Sequence, residues 1–216
     1  ARAGSLLGEP EMLSCARRAL DFCLRELRED REHSEAGGGG GRLLRVWNAG
    51  RAQVLAFLDD HACLLEACLD LQRAGAGDDL LPQALALADS IATRFYEPSV
   101  RDFYLTACDA EALVQRPRSD HDGATPHSAG LACLTLLRTA ALCGRSDLET
   151  IARAVLATHA SELERAPEAW PTLARAARLC ERGLQVAVIV GSAEDAATAA
   201  LALRARLALG PHDAVL

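Results

Sequence analysis

Three glycines at nearly equal intervals divide the sequence into similar units. Gly8, Gly77 and Gly144 lie 69 and then 67 residues apart, and each separates two apolar segments with helical spacing. The apolar positions behind each glycine recur in step, and the equivalent sets are Met12, Leu81 and Leu148, then Cys15, Ala84 and Ile151, then Ala19, Ala88 and Val155. A repeat of two helical segments predicts an array of αα-hairpins, in which neighbouring units bury one another's apolar faces.

The composition also favours helices. Half of the residues are hydrophobic but only 4% are aromatic, so the core must consist mainly of alanine and leucine. We therefore predict an all-α fold with a few short β-strands. Apolar periodicity places helices at 10–28, 54–73, 82–95, 126–143, 147–164, 171–182 and 194–209, and strands at 42–47, 102–106 and 185–190.

The segments between these elements carry few motifs. Residues 29–41 are charged and end in five glycines, a pattern that predicts a flexible loop more than a phosphate cradle. Residues 107–124 form a long irregular crossing. The strand at 185–190 lies between Gly183 and Gly191, but the G-x-G-x-x-G pattern of dinucleotide-binding folds is missing, so we reject a nucleotide-binding function.

Charge and residue usage exclude further classes of protein. A formal net charge of −7 without a clustered basic stripe argues against nucleic-acid binding. All 23 basic residues are arginine, which excludes Schiff-base chemistry on lysine and a Walker-type phosphate loop. Neither C-x-x-C nor H-x-x-x-H occurs, and we expect no metal and no cofactor.

The chain contains no apolar run of the ~20 residues that a membrane span needs, and no membrane partner is expected. A cytoplasmic location is expected unless a targeting signal precedes the chain, whose only methionine is Met12. The eight cysteines are expected to be reduced, because six of them fall within apolar helical patterns and suit packing as small hydrophobes: Cys15, Cys23, Cys63, Cys68, Cys133 and Cys180.

The first candidate site is the run S-D-H-D-G-A-T-P at 119–126, directly upstream of an apolar helix. Thr125 suits the N-cap and Pro126 the first helical position. The carboxylates of Asp120 and Asp122, with His121 between them, would then feel the helix dipole, which lowers a carboxyl pKa and favours a base over an acid. The run also suits a ligand contact for a cationic or polyol group, or a rigid corner.

A second candidate lies at the start of the buried helix predicted at 54–73. Asp59 falls on the solvated stripe of this helix. Asp60 shares one side of the helix with apolar residues, and His61 shares a different side with other apolar residues. A carboxylate among apolar neighbours must be paired or must face a cavity. Asp60 and His61 are therefore either a satisfied core pair or members of a pocket.

The two candidates are expected to meet, because their helices occupy equivalent places in successive repeats. Equivalent helices of such an array run parallel, so their N-terminal ends lie on one rim. We predict that Asp60 and Asp122 line a common pocket rim, with His61 and His121 as secondary members. Acid/base work on a sugar needs such a set, with substrate contacts from Asp59, Asp120 and Trp47, and with Trp170 as a second stacking surface.

Three ordered motifs carry a resemblance to a known family. F-L-D-D-H-A at 57–62, R-P-R-S-D-H-D-G-A-T-P at 116–126 and Q-V-A-V-I-V-G at 185–191 resemble the C-terminal part of the YyaL / spermatogenesis-associated protein 20 family. The resemblance covers essentially all 216 residues. It implies that residues 1–216 are about half of an (α/α)6 toroid of the six-hairpin glycosidase and N-acylglucosamine 2-epimerase type. It also implies that a thioredoxin-like domain and the first toroid half lie upstream.

The resemblance implies a carbohydrate-active protein, epimerase-like or hydrolase-like, whose full-length form acts on a sugar-like small molecule. The chain alone would be inactive and would need the upstream part of the same protein as its partner. A non-catalytic protein-interaction scaffold is the alternative. Two positions depart from the family pattern, since His61 replaces a usual tyrosine, and the run at 126–130 reads P-H-S-A-G where the family has a P-S-G-N-S-like sequence.

An incomplete ring has a measurable consequence. Three helix pairs cannot close a ring of six, so the chain alone is expected to form an open crescent or to self-associate. Its inner helices would then expose more apolar surface than the few hundred Å² that a monomer usually tolerates. Small-angle scattering together with binding of a hydrophobic dye tests this expectation, and a closed monomer that binds no dye would contradict it.

Overall fold

The computed structural model of the protein describes residues 1–29, 41–77, 79–192, 194–210 and 212–215. Its helices are α1 (Arg2–Leu7), α2 (Pro10–Glu26), α3 (Leu58–Arg73), α4 (Leu80–Arg94), α5 (Ser128–Cys143), α6 (Ser146–Thr158), α7 (Ala160–Arg165), α8 (Pro171–Arg182) and α9 (Ala196–Ala208). Its strands are β1 (Leu44–Asn48), β2 (Arg51–Leu55), β3 (Tyr96–Glu97), β4 (Asp102–Phe103), β5 (Val186–Ala187) and β6 (Ala214–Val215).

The helices follow the glycine repeat as a series of αα-hairpins. α3 packs against α4 and α5 against α6, while α3 and α8 flank α5 on either side. Gly8 ends α1 and Gly144 ends α5, both in the left-handed conformation (φ 71° and 67°) that glycine adopts without a steric cost. The expectation of an all-α array of helical hairpins with a few short strands is confirmed. That this array is half of a toroid stays a prediction.

Helix α5 is the centre of the core. Every residue from 128 to 140 is buried, so this helix is covered on all sides by its neighbours α3, α6 and α8. Its sequence explains why this is possible, because small or aliphatic residues occupy nearly all of these positions. Besides Ser128 at the start of the helix, three polar side chains remain inside. Thr135 and Thr139 satisfy their hydroxyl groups by bonding to carbonyls one turn earlier, at Leu131 and Thr135.

The third, Arg138, is 2% exposed and is held by a buried carboxylate. Its guanidinium donates to Asp70 of α3 at 2.8 Å, and Asp70 also pairs with Arg2 of α1 at 2.6 Å. Asp70 thereby links α1, α3 and α5 in one ion network. Removing this carboxylate would leave Arg138 without its partner in a poorly solvated interior, whereas Arg2 would keep Glu66.

The small sheets hold the connections between helices. β1 pairs with β2 and β3 with β4, both antiparallel, whereas β5 pairs in parallel with β6 at the other end of the chain. The predicted helix at 54–73 is wrong at its start, because residues 51–55 pair with β1 and α3 begins at Leu58. Val54 has a φ of 63°, a left-handed conformation that is rare for a β-branched residue.

Other element boundaries also differ from those predicted. The helix expected at 147–164 is divided at His159 into α6 and α7, and the strand expected at 185–190 contains two paired residues. Helix α5 begins at Ser128 with His127 as its N-cap, so the assignment of Thr125 and Pro126 to these roles is wrong. The loop predicted at 29–41 lies, from 30 to 40, outside the residues that the structure describes.

The first repeat is less buried than the other two. Leu20 is the buried residue of α2, while Met12, Cys15, Ala19 and Phe22 of its predicted apolar face are exposed. All eight cysteines are free thiols, as expected, but three of them (Cys15, Cys63 and Cys108) are exposed. Within the described ranges, no helix has both the length and the hydropathy to cross a membrane.

The contact between α5 and α8 predicts the effect of one added methyl group. A Cβ at Gly130 would lie 2.8 Å from the backbone nitrogen of Leu173 and 3.1 Å from its Cα. Gly130→Ala should lower the free energy of unfolding by about 1–3 kcal/mol, although alanine is the better helix former by ~1 kcal/mol. Gly123→Ala is the matched control, since no atom lies within 4 Å of its new Cβ. Urea denaturation measures both, and a Gly130→Ala protein as stable as wild type would contradict this packing.

Candidate functional site

Asp59 and Asp60 bind a neighbouring arginine. The guanidinium of Arg45 in β1 donates to Asp59 at 3.0 Å and to Asp60 at 2.8 Å. Asp60 also accepts the backbone N–H of Phe57 at 2.8 Å, which caps the start of α3. Burial raises the pKa of Asp60 even though the Phe57 N–H and Arg45 oppose this. The expectation of a pKa lowered by the helix terminus therefore fails for Asp60.

His61 is a core histidine. It is 5% exposed, its Nδ1 donates to the carbonyl of Phe57 at 2.9 Å, and its ring lies 4.9 Å from that of Phe95. Burial, more than any other cause, lowers its pKa to about 4, so the ring is neutral at pH 7. His61 also lines a cavity of about 1590 Å³ beside the β1–β2 hairpin, which it shares with Trp47.

Asp122 joins the S-D-H-D segment to two helices. It accepts the backbone N–H of His127 at 2.9 Å, the backbone N–H of Thr172 at 3.0 Å, and the hydroxyl of Thr172. Burial alone would raise the pKa of Asp122, but the Thr172 hydroxyl and the two N–H groups outweigh it and lower that pKa. Asp122 thus caps the first turn of α8, 50 residues along the chain.

The remaining predicted residues lie outside this arrangement. Asp120 and His121 are exposed and take part in no hydrogen bond within the described residues, and Trp47 packs on the edge of Phe22 at 5.5 Å. Of the predicted set, His61 and Trp47 are brought to one cavity. Asp60 and Asp122 are each used in contacts that hold helix starts, and their sharing of a pocket rim stays a prediction.

A different set of polar side chains meets at the N-terminal end of α5. Asp102 of β4 is 3% exposed and accepts the Nε2–H of His159 at 3.2 Å, the backbone N–H of Phe103 at 2.8 Å and an N–H of Arg118 at 3.3 Å. Burial would raise the pKa of Asp102, but His159, the Phe103 N–H and Arg118 outweigh burial and lower it. Asp102 is therefore ionised at pH 7 and can only accept.

This charge fixes the proton on His159. Because Asp102 accepts, Nε2 of His159 carries a hydrogen, and when the ring is neutral its Nδ1 has a lone pair. That Nδ1 is buried and has no hydrogen-bond partner in the described part of the chain. His159 lies at the break between α6 and α7, which turns its side chain towards β4.

His127 is the second imidazole, and its hydrogen is also on Nε2. Its Nδ1 accepts the N–H of Gly130 at 3.1 Å as the N-cap of α5, so Nε2 carries the hydrogen. His127 is 1% exposed, and its Nε2 makes no hydrogen bond of regular geometry within the described ranges, although the backbone carbonyl of Ser119 is near enough to raise its pKa. Burial and the neighbouring His159 lower its pKa, against the carbonyl of Ser119 and the charges of Asp122 and Asp102, so the ring stays neutral.

Trp170 completes the group, which we call the imidazole cluster: Asp102, His127, His159 and Trp170. The ring centroids of His127 and His159 are 5.7 Å apart, and Trp170 lies 4.9 Å from the first and 5.8 Å from the second. Beside an indole, the cluster presents Nδ1 of His159, which has a lone pair when the ring is neutral, and the Nε2–H of His127, and neither makes a regular hydrogen bond among the described residues. A base and a hydrogen-bond donor so close together can serve proton transfer.

Part of this cluster is predictable from the sequence. Trp170 is a predicted stacking surface and His127 lies in the run at 126–130 that departs from the family pattern, but Asp102 and His159 are not predicted. Asp102 is assigned to a strand, and His159 to the interior of a helix that in fact breaks there. Among the described residues, no group of three His, Cys, Asp or Glu side chains is arranged to hold a metal ion.

Comparison with known proteins finds several relatives, three of which share a name. The chain is 27% identical over 208 residues to spermatogenesis-associated protein 20 of Rattus norvegicus, 25% over 207 residues to that of Homo sapiens, and 28% over 170 residues to that of Mus musculus. The matches cover 92%, 92% and 74% of this chain. The chain spans about a quarter of the length of these curated relatives, 25%, 25% and 22%. No family model matches it. The resemblance to the spermatogenesis-associated protein 20 family is confirmed.

The contacts of Asp122 predict a pH-dependent loss of stability. Asp122→Asn should lower the free energy of unfolding by about 1–3 kcal/mol at pH 7, because the amide cannot accept as well from the donors of His127 and Thr172. The folded-state pKa lies below the ordinary value, so the carboxylate stabilises fully above about pH 4, and this contribution is lost as the pH falls through the folded-state pKa.

The difference between wild type and Asp122→Asn should therefore shrink below about pH 4 in urea denaturation curves. Asp120→Asn is the control, because this substitution removes the same charge two residues away and Asp120 is exposed. Equal effects of the two substitutions at pH 7 would show that Asp122 does not have the capping role assigned to it.

Proposed function

Starting from the relationship with the spermatogenesis-associated protein 20 family, we propose that this chain supplies an acid/base site for proton transfer on a sugar-like substrate. It does so as the C-terminal part of a longer protein with an (α/α)6 toroid, whose upstream part completes the substrate site. The observation that carries the proposal is the imidazole cluster, in which Asp102 orients His159 and the second imidazole, His127, offers an N–H on its Nε2.

The roles follow from the ring nitrogen that each histidine leaves for the substrate, Nδ1 of His159 and Nε2–H of His127. The Nδ1 lone pair of His159 removes the proton from a sugar carbon next to the carbonyl, and Asp102 stabilises the imidazolium that results. The Nε2–H of His127 donates a hydrogen bond to the carbonyl oxygen, which becomes the enediolate oxygen. His159 then returns the proton to a substrate carbon. Neutral His127 gives up no proton, because its lowered pKa keeps the ring uncharged and its role is that of a donor.

This arrangement favours enolisation over glycoside hydrolysis. Hydrolysis needs two carboxyl groups about 5–9.5 Å apart that both reach the substrate. In the imidazole cluster the carboxylate of Asp102 is fully used by His159, Phe103 and Arg118, so it orients another group instead of contacting a sugar. Enolisation is the step shared by epimerases and isomerases that act next to a sugar carbonyl, and one base with one donor is sufficient for it.

Trp170 and the segment at 119–126 control access to the site. The free nitrogen of each imidazole is buried, so a sugar reaches them only if the Trp170 side chain or this segment moves aside. An indole at this place would cover the apolar face of a sugar ring once displaced. His127 also lies at a departure from the family pattern, and its role is proposed for this chain alone.

The test is exchange of the C2 hydrogen of reducing sugars with D2O, followed by NMR. It uses the protein together with any upstream sequence of its reading frame, with glucose, mannose and N-acetylglucosamine as probes. We expect exchange to fall by about 10²–10⁴-fold in His159→Gln and by about 10²–10³-fold in His127→Phe. His121→Ala is the matched control, as an exposed histidine of the same segment, and should exchange like wild type.

Two outcomes would contradict the proposal. One is exchange that survives His159→Gln in a protein whose circular dichroism is unchanged. The other is an absence of both exchange and sugar binding in the longer protein. The second result would favour the alternative, a non-catalytic interaction scaffold, for which a helical array with exposed apolar positions on α2 and α9 is suited.

A further inference from the structure

A basic pocket lies along α8, separate from the imidazole cluster. It has a volume of about 300 Å³ and is lined by Arg175, Arg178, Leu179, Arg182, Gly210 and His212. The three arginines follow one another at intervals of three and four residues, which places them on one face of the helix. The other wall consists of Gly210 and His212, which lie between α9 and β6, so the pocket is formed by two separate parts of the chain.

His212 lines this pocket and carries an N–H that has no partner among the described residues. Arg175 is always protonated and donates to Nε2 of His212 at 3.0 Å, so the hydrogen of the neutral ring is on Nδ1. His212 is 8% exposed, and its Nδ1 is buried without a hydrogen-bond partner among the described residues. A buried donor without an acceptor is destabilising, and an acceptor bound in the pocket would relieve that cost.

The charges around the pocket are unbalanced. Arg182 is neutralised by the buried Asp213, with two hydrogen bonds of 2.9 and 2.7 Å. Arg175 and Arg178 have no ion-pair partner within the described ranges. Burial, followed by the positive charges of Arg138, Arg2 and Arg175, lowers the pKa of His212 to about 4, and Asp70 only partly opposes this. The potential at the pocket is thus positive in a protein whose net charge is −7.

We propose that this pocket binds the phosphoryl group of a small phosphate ester. Its donors lie on both walls, with the guanidinium groups of Arg175 and Arg178 on α8 and the Nδ1–H of His212 on the other, and Arg175 is also bonded to Nε2 of His212. A tetrahedral phosphate has acceptor oxygens for several donors at once, whereas a planar carboxylate is satisfied by one guanidinium fork. Leu179 and the aliphatic parts of the arginines leave an apolar wall for the organic part of the ester.

The experiment is a titration of the ¹⁵N-labelled chain with inorganic phosphate, glycerol phosphate and acetate at pH 7 and constant ionic strength. We expect saturable shifts of the α8 amides and of His212 with both phosphates, and weaker binding of acetate. Arg178→Gln should raise the Kd for phosphate about tenfold, because it removes an unpaired charge at the pocket. His212→Phe should also weaken binding.

Arg204→Gln is the matched control, because Arg204 is exposed on α9 and the substitution removes the same charge. It should change the Kd by less than about twofold. The proposal is overturned if phosphate gives no saturable shifts, if Arg204→Gln weakens binding as much as Arg178→Gln, or if acetate binds as tightly as phosphate. Arg178 contacts no buried partner in the described structure, so its variant is expected to fold and these outcomes remain distinct.

Discussion

The burial of α5 on all its sides is the constraint on which the rest of this structure depends. A helix covered by α3, α6 and α8 at once has no solvated stripe, so each of its polar groups must find a partner inside. Thr135 and Thr139 use their own helix, and Arg138 uses Asp70. The close approach of Gly130 to the backbone of Leu173 sets the distance to α8. The neighbouring helices are positioned by these contacts, and the hairpin order follows from them.

The imidazole cluster lies where this packing ends. At the start of α5 the chain arrives from a long irregular crossing, α6 breaks at His159, and α8 begins after Trp170, so three irregular segments converge. Irregular backbone needs polar side chains to satisfy it, and Asp122 and His127 meet that need as caps. The pairing of Asp102 with His159 leaves the Nδ1 of His159 without a hydrogen-bond partner in the described contacts, as also happens at other buried polar atoms such as Nη1 of Arg138. Within the cluster, this makes His159 a candidate functional residue.

The sequence predicted the fold better than the site, for reasons that individual residues illustrate. The glycine interval and the step of the apolar positions are local signals, and they located α4, α5 and α8 to within a few residues. β2 was missed because R-A-Q-V-L continues an apolar helical pattern, and only its pairing with β1 makes it a strand. Asp122 was placed near a helix start, as a base, a ligand contact or part of a rigid corner, but its capping role was missed because its partner Thr172 is 50 residues away. Asp102 and His159 meet across 57 residues, a distance that no spacing rule reveals.

The way in which α9 is attached has a consequence for the order in which the protein assembles. This helix has no buried residue. Its long-range hydrogen bonds include those that Arg73 donates to the carbonyls of Arg206 and Gly210, which lie 133 and 137 residues further along the chain. Arg206 in turn donates to the carbonyl of Arg73. The α3–α4 and α5–α6 hairpins close short loops and form early, whereas contacts of such long range form late. The same helix should then be the first to detach in native-state fluctuations, exchanging its amide hydrogens well before those of α5.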